Sequence, residues 1–90
     1  MNVSITLYSA LAKFKPSVQI DSTEYANKTS DGFCVLKVKH GNRNSGQYQF
    51  YDISQAKGLL NNYKDKITEY KIIKQVSEIT ETEIEAGDLT

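Results

Sequence analysis

The residues best suited to chemistry on this chain are cations placed beside aromatic side chains near the middle of the sequence. The cations are Lys37, Lys39, His40 and Arg43, and the aromatics that follow are Tyr48, Phe50 and Tyr51. Lysine and arginine can hold phosphates while aromatic rings stack on bases, so this cluster is a candidate surface for a partner, nucleic acid included. The alternative is a solvated end of a strand beside aromatics of the core.

Catalytic chemistry finds little support in the residue types present. His40 is the one histidine, and Cys34 is the one cysteine. Cys34 alternates with Leu36 and Val38, which predicts a buried structural thiol without a neighbouring base. A zinc site needs several histidine, cysteine or acidic ligands close together, and one histidine, one cysteine and scattered acids do not supply them. We therefore expect no enzymatic activity, no metal and no cofactor.

The charges are balanced in number but not in position. The chain has 11 basic and 11 acidic residues. The stretch 75–90 has no lysine or arginine, and its acids are Glu78, Glu81, Glu83, Glu85 and Asp88. This acidic end could imitate nucleic-acid phosphates towards a basic partner, with Glu81, Glu83 and Glu85 as the candidate contacts, or it could only maintain solubility.

Tyrosine is common, and tryptophan is absent. Tyrosine gives a large contact area at small conformational cost, which suits a binding surface. We expect at least three of Tyr8, Tyr48, Tyr63 and Tyr70 to fill the core. Tyr25 and Tyr51 are then the better candidates for contact with a partner.

The element that must organise these residues is a helix that begins after Asp52 and runs to about residue 67. Asp52 is a suitable N-cap, and Gln55 completes a capping box. Apolar residues then recur at helical spacing at Ile53, Ala56, Leu59, Leu60, Tyr63 and Ile67. A strand over residues 69–77 follows, with apolar residues on both faces. It is predicted at a sheet edge, where it could pair with a second copy to give a homodimer.

The first part of the chain predicts a helix over residues 5–15. Ser4 can cap it, its apolar face is wide, and Pro16 would stop it. The alternation of Val3, Ile5 and Leu7 leaves a strand over residues 2–8 as the alternative. Strands are predicted over residues 17–21, 32–40 and 47–51.

The predicted fold is a single α+β domain over residues 1–78, with element order α-β-β-β-α-β and an antiparallel sheet with both helices packed on one face. Residues 79–90 are predicted to be a loosely held acidic tail. No apolar run approaches a membrane span, no signal peptide is evident, and cysteine is scarce, so we expect a cytoplasmic protein.

The predicted order of helix, three strands and helix over residues 4–67 resembles the double-stranded-RNA-binding domain. The start of the second helix, Ser54-Gln55-Ala56-Lys57, has the Ala-Lys pair of that family's second helix. The resemblance implies recognition of nucleic acid by shape, here through the basic hairpin over residues 37–43.

A second resemblance is to small phage-encoded inhibitors, anti-CRISPR proteins among them. Those proteins are often single α+β domains of this length, poor in cysteine and bearing tyrosine and asparagine. Some of them have a Ser-x-x-Gln-Ala-Lys entry into a helix that is followed by a strand. Residues 53–76 are similar, although here Ser54 stands directly before Gln55-Ala56-Lys57. The resemblance implies a protein that acts by occluding a host protein, often part of a nucleic-acid-handling complex. We therefore expect a protein partner first and nucleic acid second.

Overall fold

The helix predicted after Asp52 is present, and its start is set by local chemistry. The computed structural model describes residues 2–38, 46–82 and 87. Helix α1 spans Ile53–Asn61, and the Asp52 carboxylate accepts a hydrogen bond of 2.9 Å from the Ser54 backbone N–H. That bond satisfies one of the donors that a helix start leaves open and holds the pKa of Asp52 below its usual value. α1 is shorter than predicted because turns follow it before the next strand begins at Ile67.

The first element is a strand rather than the predicted helix over residues 5–15. Strand β1 spans Asn2–Phe14, so the alternative over residues 2–8 was the better prediction, although it was too short. Consecutive residues Ala10, Leu11 and Ala12 are all buried. A strand that lies between two others and is covered on both faces loses its polar alternation, and its sequence then resembles the wide apolar face of a helix.

The sheet is antiparallel and has the strand order β2-β3-β1-β4. Strand β2 is Tyr25–Lys28, β3 is Cys34–Leu36 and β4 is Ile67–Thr80. β1 and β4 pair along almost their whole length, from Asn2 opposite Thr80 to Phe14 opposite Ile67. The mixed α+β class is therefore present, but the element order is β-β-β-α-β, with one helix among the described residues.

Two predicted strands are replaced by irregular structure. Residues 17–21 form turns and loop, although Ile20 still packs against the core. Residues 47–51 contribute one bridge, between Phe50 and Tyr8. The strand predicted over residues 32–40 is confirmed in its central part as β3. Because residues 2–14 are a strand, the order that resembled the double-stranded-RNA-binding domain is absent.

The core lies between α1 and the face of the sheet that carries Ala10 and Ala12. Both alanines and Ala56 of α1 are fully buried, so small side chains let the helix approach the sheet closely. Leu36 and Phe50 are the largest fully buried side chains there. The remaining buried members of the cluster are Cys34, Leu59 and Leu60.

The opposite face of the sheet is closed in part by charged side chains around one aromatic ring. The Lys13 and Lys71 ammonium groups lie 4.9 and 4.2 Å from the centre of the Phe33 ring. Lys13 also pairs with Glu69 at 3.2 Å, and Lys71 pairs with Asp31 at 3.7 Å. The Thr29 hydroxyl, with Lys71 and Lys13, lowers the pKa of Asp31. Cation–aromatic contacts of this kind stabilise most where water is partly excluded.

Residues 2–7 of β1 and residues 75–80 of β4 form a two-stranded ribbon, which we call the arm. Within the described residues, β1 pairs with β3 at Leu11 and Ala12 and forms a bridge from Tyr8 to Phe50. Residues 2–7 of β1 therefore have β4 as their one neighbouring strand in that part of the chain. The molecule measures 64 × 26 × 25 Å, which fits a ribbon that extends beyond the rest of the sheet. We call α1 and the sheet from Tyr8 onward, with β4 up to Lys74, the body.

Candidate binding site along the outer strand

Among the described residues, no strand pairs with the outer backbone edge of β4. Tyr8 donates a hydrogen bond to Phe50 and accepts one from it, at 2.8 and 2.9 Å, on the side of β1 away from β4. Tyr8 therefore exchanges no backbone hydrogen bond with Lys74, the residue opposite it on β4. The N–H and C=O of Lys74 must point outward, and by alternation those of Ile72, Val76 and Glu78 do so too.

Towards the body, this edge adjoins a groove between α1 and β4, which we call the α1–β4 groove. It encloses about 440 Å³ and is lined by Lys57, Leu60, Asn61, Lys64, Ile67, Thr68, Tyr70 and Ile72. Leu60 is buried, and Ile67 and Ile72 are half-buried and pack against the core, so the floor is apolar. The groove can therefore receive apolar side chains of a partner.

The rim of the α1–β4 groove is polar, basic and aromatic. Lys57 on α1 and Lys64 in the following turn are both exposed. Tyr70 keeps 69% of its surface accessible although it belongs to a regular strand. An exposed aromatic ring beside an apolar floor, with two cations nearby, suits a partner segment that combines apolar and acidic residues.

A second cleft lies towards β2 and β3 and is more basic; we call it the lysine cleft. It encloses about 560 Å³ and is lined by Lys13, Phe14, Lys15, Pro16, Val18, Gln19, Ile20, Tyr25, Lys28, Gly32 and Cys34. Lys15 and Lys28 are exposed, whereas Lys13 is paired with Glu69. Cations beside the rings of Phe14 and Tyr25 give this cleft the chemistry that phosphates and bases require.

Tyr63 joins the end of α1 to the loop before β2. Its ring meets Phe14 edge-on at 5.5 Å, and its hydroxyl donates a 3.2 Å hydrogen bond to the Glu24 carboxylate. Burial, followed by the negative charge of Glu24, raises the pKa of Tyr63 to about 12. The neutral phenol is therefore the form that holds the two segments together.

The predicted contact residues within the described part of the chain do not form one surface. Tyr25 is half-buried on β2 and lines the lysine cleft, and Lys37 is only 5% exposed. Tyr51 lies just before α1 and is 75% exposed. Glu81 follows β4, at the edge of the sheet opposite β2, the strand that carries Tyr25. Lys37 is therefore poorly placed for an external partner, while Tyr51 is accessible.

The remaining predicted contacts, Lys39, His40, Arg43, Glu83 and Glu85, lie outside the described residues. The basic hairpin and most of the acidic tail thus stay predictions. Within the described residues, the strand runs to Thr80, two residues into the segment predicted as a tail.

Cys34 is buried as predicted. It is 4% exposed, and burial raises the pKa of its thiol, which disfavours the reactive thiolate. Across residues 2–38 and 46–82, no three histidine, cysteine, aspartate or glutamate side chains gather in a way that could hold a metal ion.

Sequence reasoning missed the α1–β4 groove and the role of Tyr70. The prediction that at least three of four tyrosines fill the core is wrong, because Tyr48 and Tyr70 are exposed while Tyr8 and Tyr63 pack against it. The one feature of the sequence that pointed to this region was the presence of apolar residues on both faces of β4. It indicated an edge strand, and β4 is indeed an outer strand of the sheet.

Comparisons with protein-family models, curated proteins and solved structures found no match to this chain. α1, the helix that the structure describes, is too short and too polar to cross a membrane.

Proposed function

We propose that this chain is a non-enzymatic binding protein that occludes a protein partner through the α1–β4 groove. The observation that carries the proposal is the conjunction of an apolar groove, two exposed lysines and the exposed ring of Tyr70. Each feature alone is common on protein surfaces. Together they supply an anchor pocket, a polar rim and an aromatic contact, which are the parts of a protein-binding surface.

The chemistry of the groove also specifies the kind of segment that fits it. A partner segment that lies along residues 67–70 of β4 can add backbone hydrogen bonds to the outward groups of Tyr70. Its apolar side chains would reach Leu60 and Ile67, and its acidic side chains would meet Lys57 and Lys64. The favoured partner is thus an extended segment with alternating apolar and acidic residues.

The concrete form that we favour is a phage or mobile-element inhibitor acting in the host cytoplasm. Its support is the sequence resemblance of residues 53–76 to small inhibitors of that kind. Such a protein works by covering a surface of a host complex and needs no catalytic group of its own.

The test is a capture experiment with two charge-matched variants. Immobilised protein is exposed to nuclease-treated bacterial lysate at low and high salt, and retained proteins are identified by mass spectrometry. We expect one host protein or complex to remain at high salt, because the groove floor is apolar. Lys57→Glu with Lys64→Glu should weaken its affinity by at least about tenfold, as expected when the charged rim of an anchor pocket is reversed.

The matched control reverses the same number of lysines in the lysine cleft, Lys15→Glu with Lys28→Glu. This variant should retain the captured protein at unchanged affinity. Equal retention by both variants, with both folded by circular dichroism, would contradict binding through the α1–β4 groove.

The alternative function is nucleic-acid binding, and the lysine cleft is the observation that favours it. Phosphate contacts predict an affinity that falls steeply as salt rises. In that case nucleic acid is held before nuclease treatment, nothing remains after it, and the Lys15→Glu, Lys28→Glu variant is the one that loses binding.

A further inference from the structure

The segment of β4 from Ile72 to Thr80 lies at the edge of the sheet and exposes three aliphatic side chains. Val76 is 56% exposed, and Ile73 and Ile79 are each 43% exposed. A long, accessible edge with apolar side chains is a template for pairing with another strand. The outward backbone groups of Ile72, Lys74, Val76 and Glu78 provide the hydrogen bonds for such a pairing.

The sequence of this edge is complementary to itself in one antiparallel register. In that register Val76 lies opposite Val76 of a second copy. Lys74 then faces Glu78 of the second copy, and Ile73 faces its Ile79. A twofold axis through Val76 repeats each of these contacts, so the register gives two opposite-charge pairs and two isoleucine pairs. Lys74 and Glu78 have no ion-pair partner among the described residues of their own chain.

The neighbouring registers are unfavourable. A twofold axis through Lys74 or through Glu78 places that residue opposite the same residue of the second copy, which has the same charge. A centre at Gln75 places Lys74 opposite Val76 and Ile72 opposite Glu78, and a centre at Ser77 places Val76 opposite Glu78. Like charges opposite each other destabilise a strand pair, and charges opposite aliphatic side chains gain nothing. The register centred on Val76 is thus favoured over its neighbours.

We propose that two copies of this chain pair through residues 72–80 of β4, antiparallel and centred on Val76, into one continuous eight-stranded sheet. The strand that occupies this edge is that of a second copy, because Lys74 then faces Glu78 of that copy and Ile73 faces its Ile79. The inference goes beyond the proposed function and does not depend on it. The residues that pair in the dimer run from Ile72 to Thr80, whereas the lysines of the α1–β4 groove lie on α1 and in the turn after it.

The first experiment measures mass in solution by sedimentation equilibrium over a wide concentration range. The wild-type chain should approach twice the 10.1 kDa of one chain. Lys74→Glu alone and Glu78→Lys alone should each weaken dimerisation by at least about tenfold, because each creates two like-charge pairs. The double variant Lys74→Glu, Glu78→Lys should restore it, since the charges are exchanged but still opposite.

Cross-linking gives an independent test of the register. Opposite residues in a hydrogen-bonded antiparallel pair have Cα atoms about 5.5 Å apart, which a disulfide can bridge. Val76→Cys should therefore form a covalent dimer on mild oxidation, whereas Lys74→Cys, which faces Glu78, should not. The native Cys34 is buried and gives little background.

The outcomes separate this inference from the groove function. A wild-type mass of one chain at all concentrations overturns the dimer. A dimer that survives both single charge reversals, or that cross-links equally through Lys74→Cys, overturns this register. Neither result affects capture through the α1–β4 groove, which is measured with different variants.

Discussion

The arm and the body use the same two strands, but they surround them differently. In the body, β1 lies between β3 and β4, α1 covers Ala10 and Ala12, and the Phe33 ring with Lys71 covers the opposite face, which carries Leu11; all three residues are buried. In the arm, the same strand has β4 as its one described neighbour, and Val3, Ile5 and Leu7 are only half-buried. The difference shows that pairing alone does not bury side chains in a sheet. Burial requires a second layer, which α1 supplies over one face of the body and the Phe33 ring with Lys13 and Lys71 supplies in part over the other.

This contrast predicts that the stability of the protein resides in the body, and the largest test removes a body side chain. Leu36→Ala should reduce the free energy of unfolding by about 2–5 kcal/mol, because Leu36 is fully buried and its loss leaves a cavity. Leu7→Ala is the matched change in the arm and should cost about 1 kcal/mol or less. Urea unfolding followed by circular dichroism measures both. Equal losses would mean that the arm is packed as tightly as the body.

A smaller effect is expected at high pH from the contact that holds α1 to the loop before β2. The pKa of Tyr63 is raised to about 12 in the folded protein, whereas an unfolded tyrosine ionises near 10. The unfolded chain therefore loses its proton first, and the folded state loses stability as the pH rises from about 10 towards about 12. Tyr63→Phe should flatten this part of the stability profile in denaturant titrations at stepped pH. An unchanged slope would show that another group causes it.

The smallest predicted effect concerns the start of α1. Asp52→Ala removes the acceptor for the Ser54 N–H and should lower the denaturation midpoint, while Asp52→Asn should retain most of it because asparagine also caps helices. The pKa of Asp52 is lowered in the folded state, so the stabilisation is present above the normal aspartate pKa and is lost as the pH falls through the lowered value. Midpoints of the three proteins at neutral and acid pH measure this. If the alanine variant matched the wild type at neutral pH, the cap would contribute nothing.

The sequence predicted best where structure is decided locally. Asp52 specifies the start of α1 through a hydrogen bond to a residue two positions on, and Ala56, Leu59 and Leu60 are buried as their spacing indicates. The strand predicted over residues 69–77 is also confirmed as part of β4, where apolar residues fall on both faces. In both cases the signal lies within a few residues and needs no knowledge of the neighbours.

The predictions were wrong or incomplete for segments whose structure depends on packing against distant parts of the chain. β1 is predicted as a helix because its apolar face is too wide for strict alternation, and the structure shows that both faces of the strand are buried around Ala10, Leu11 and Ala12. Val18 and Ile20 alternate like a strand, but the chain turns there, with the Val18 N–H donating to the Lys15 carbonyl at 2.9 Å. The α1–β4 groove could not be found in the sequence, because it exists only once α1 packs beside β4.

The pairing of β1 with β4 also sets the order in which this protein can acquire its structure during synthesis. Asn2 lies opposite Thr80 and Phe14 opposite Ile67, so each pair joins distant parts of the chain. On the ribosome, β1 emerges before β4, so the apolar residues of its arm, Val3, Ile5 and Leu7, have no described strand partner until β4 has been made. The β2–β3 hairpin and α1 can form in the meantime, but the long ribbon closes late. Such distant contacts make folding slow and give chaperones a period in which β1 is accessible.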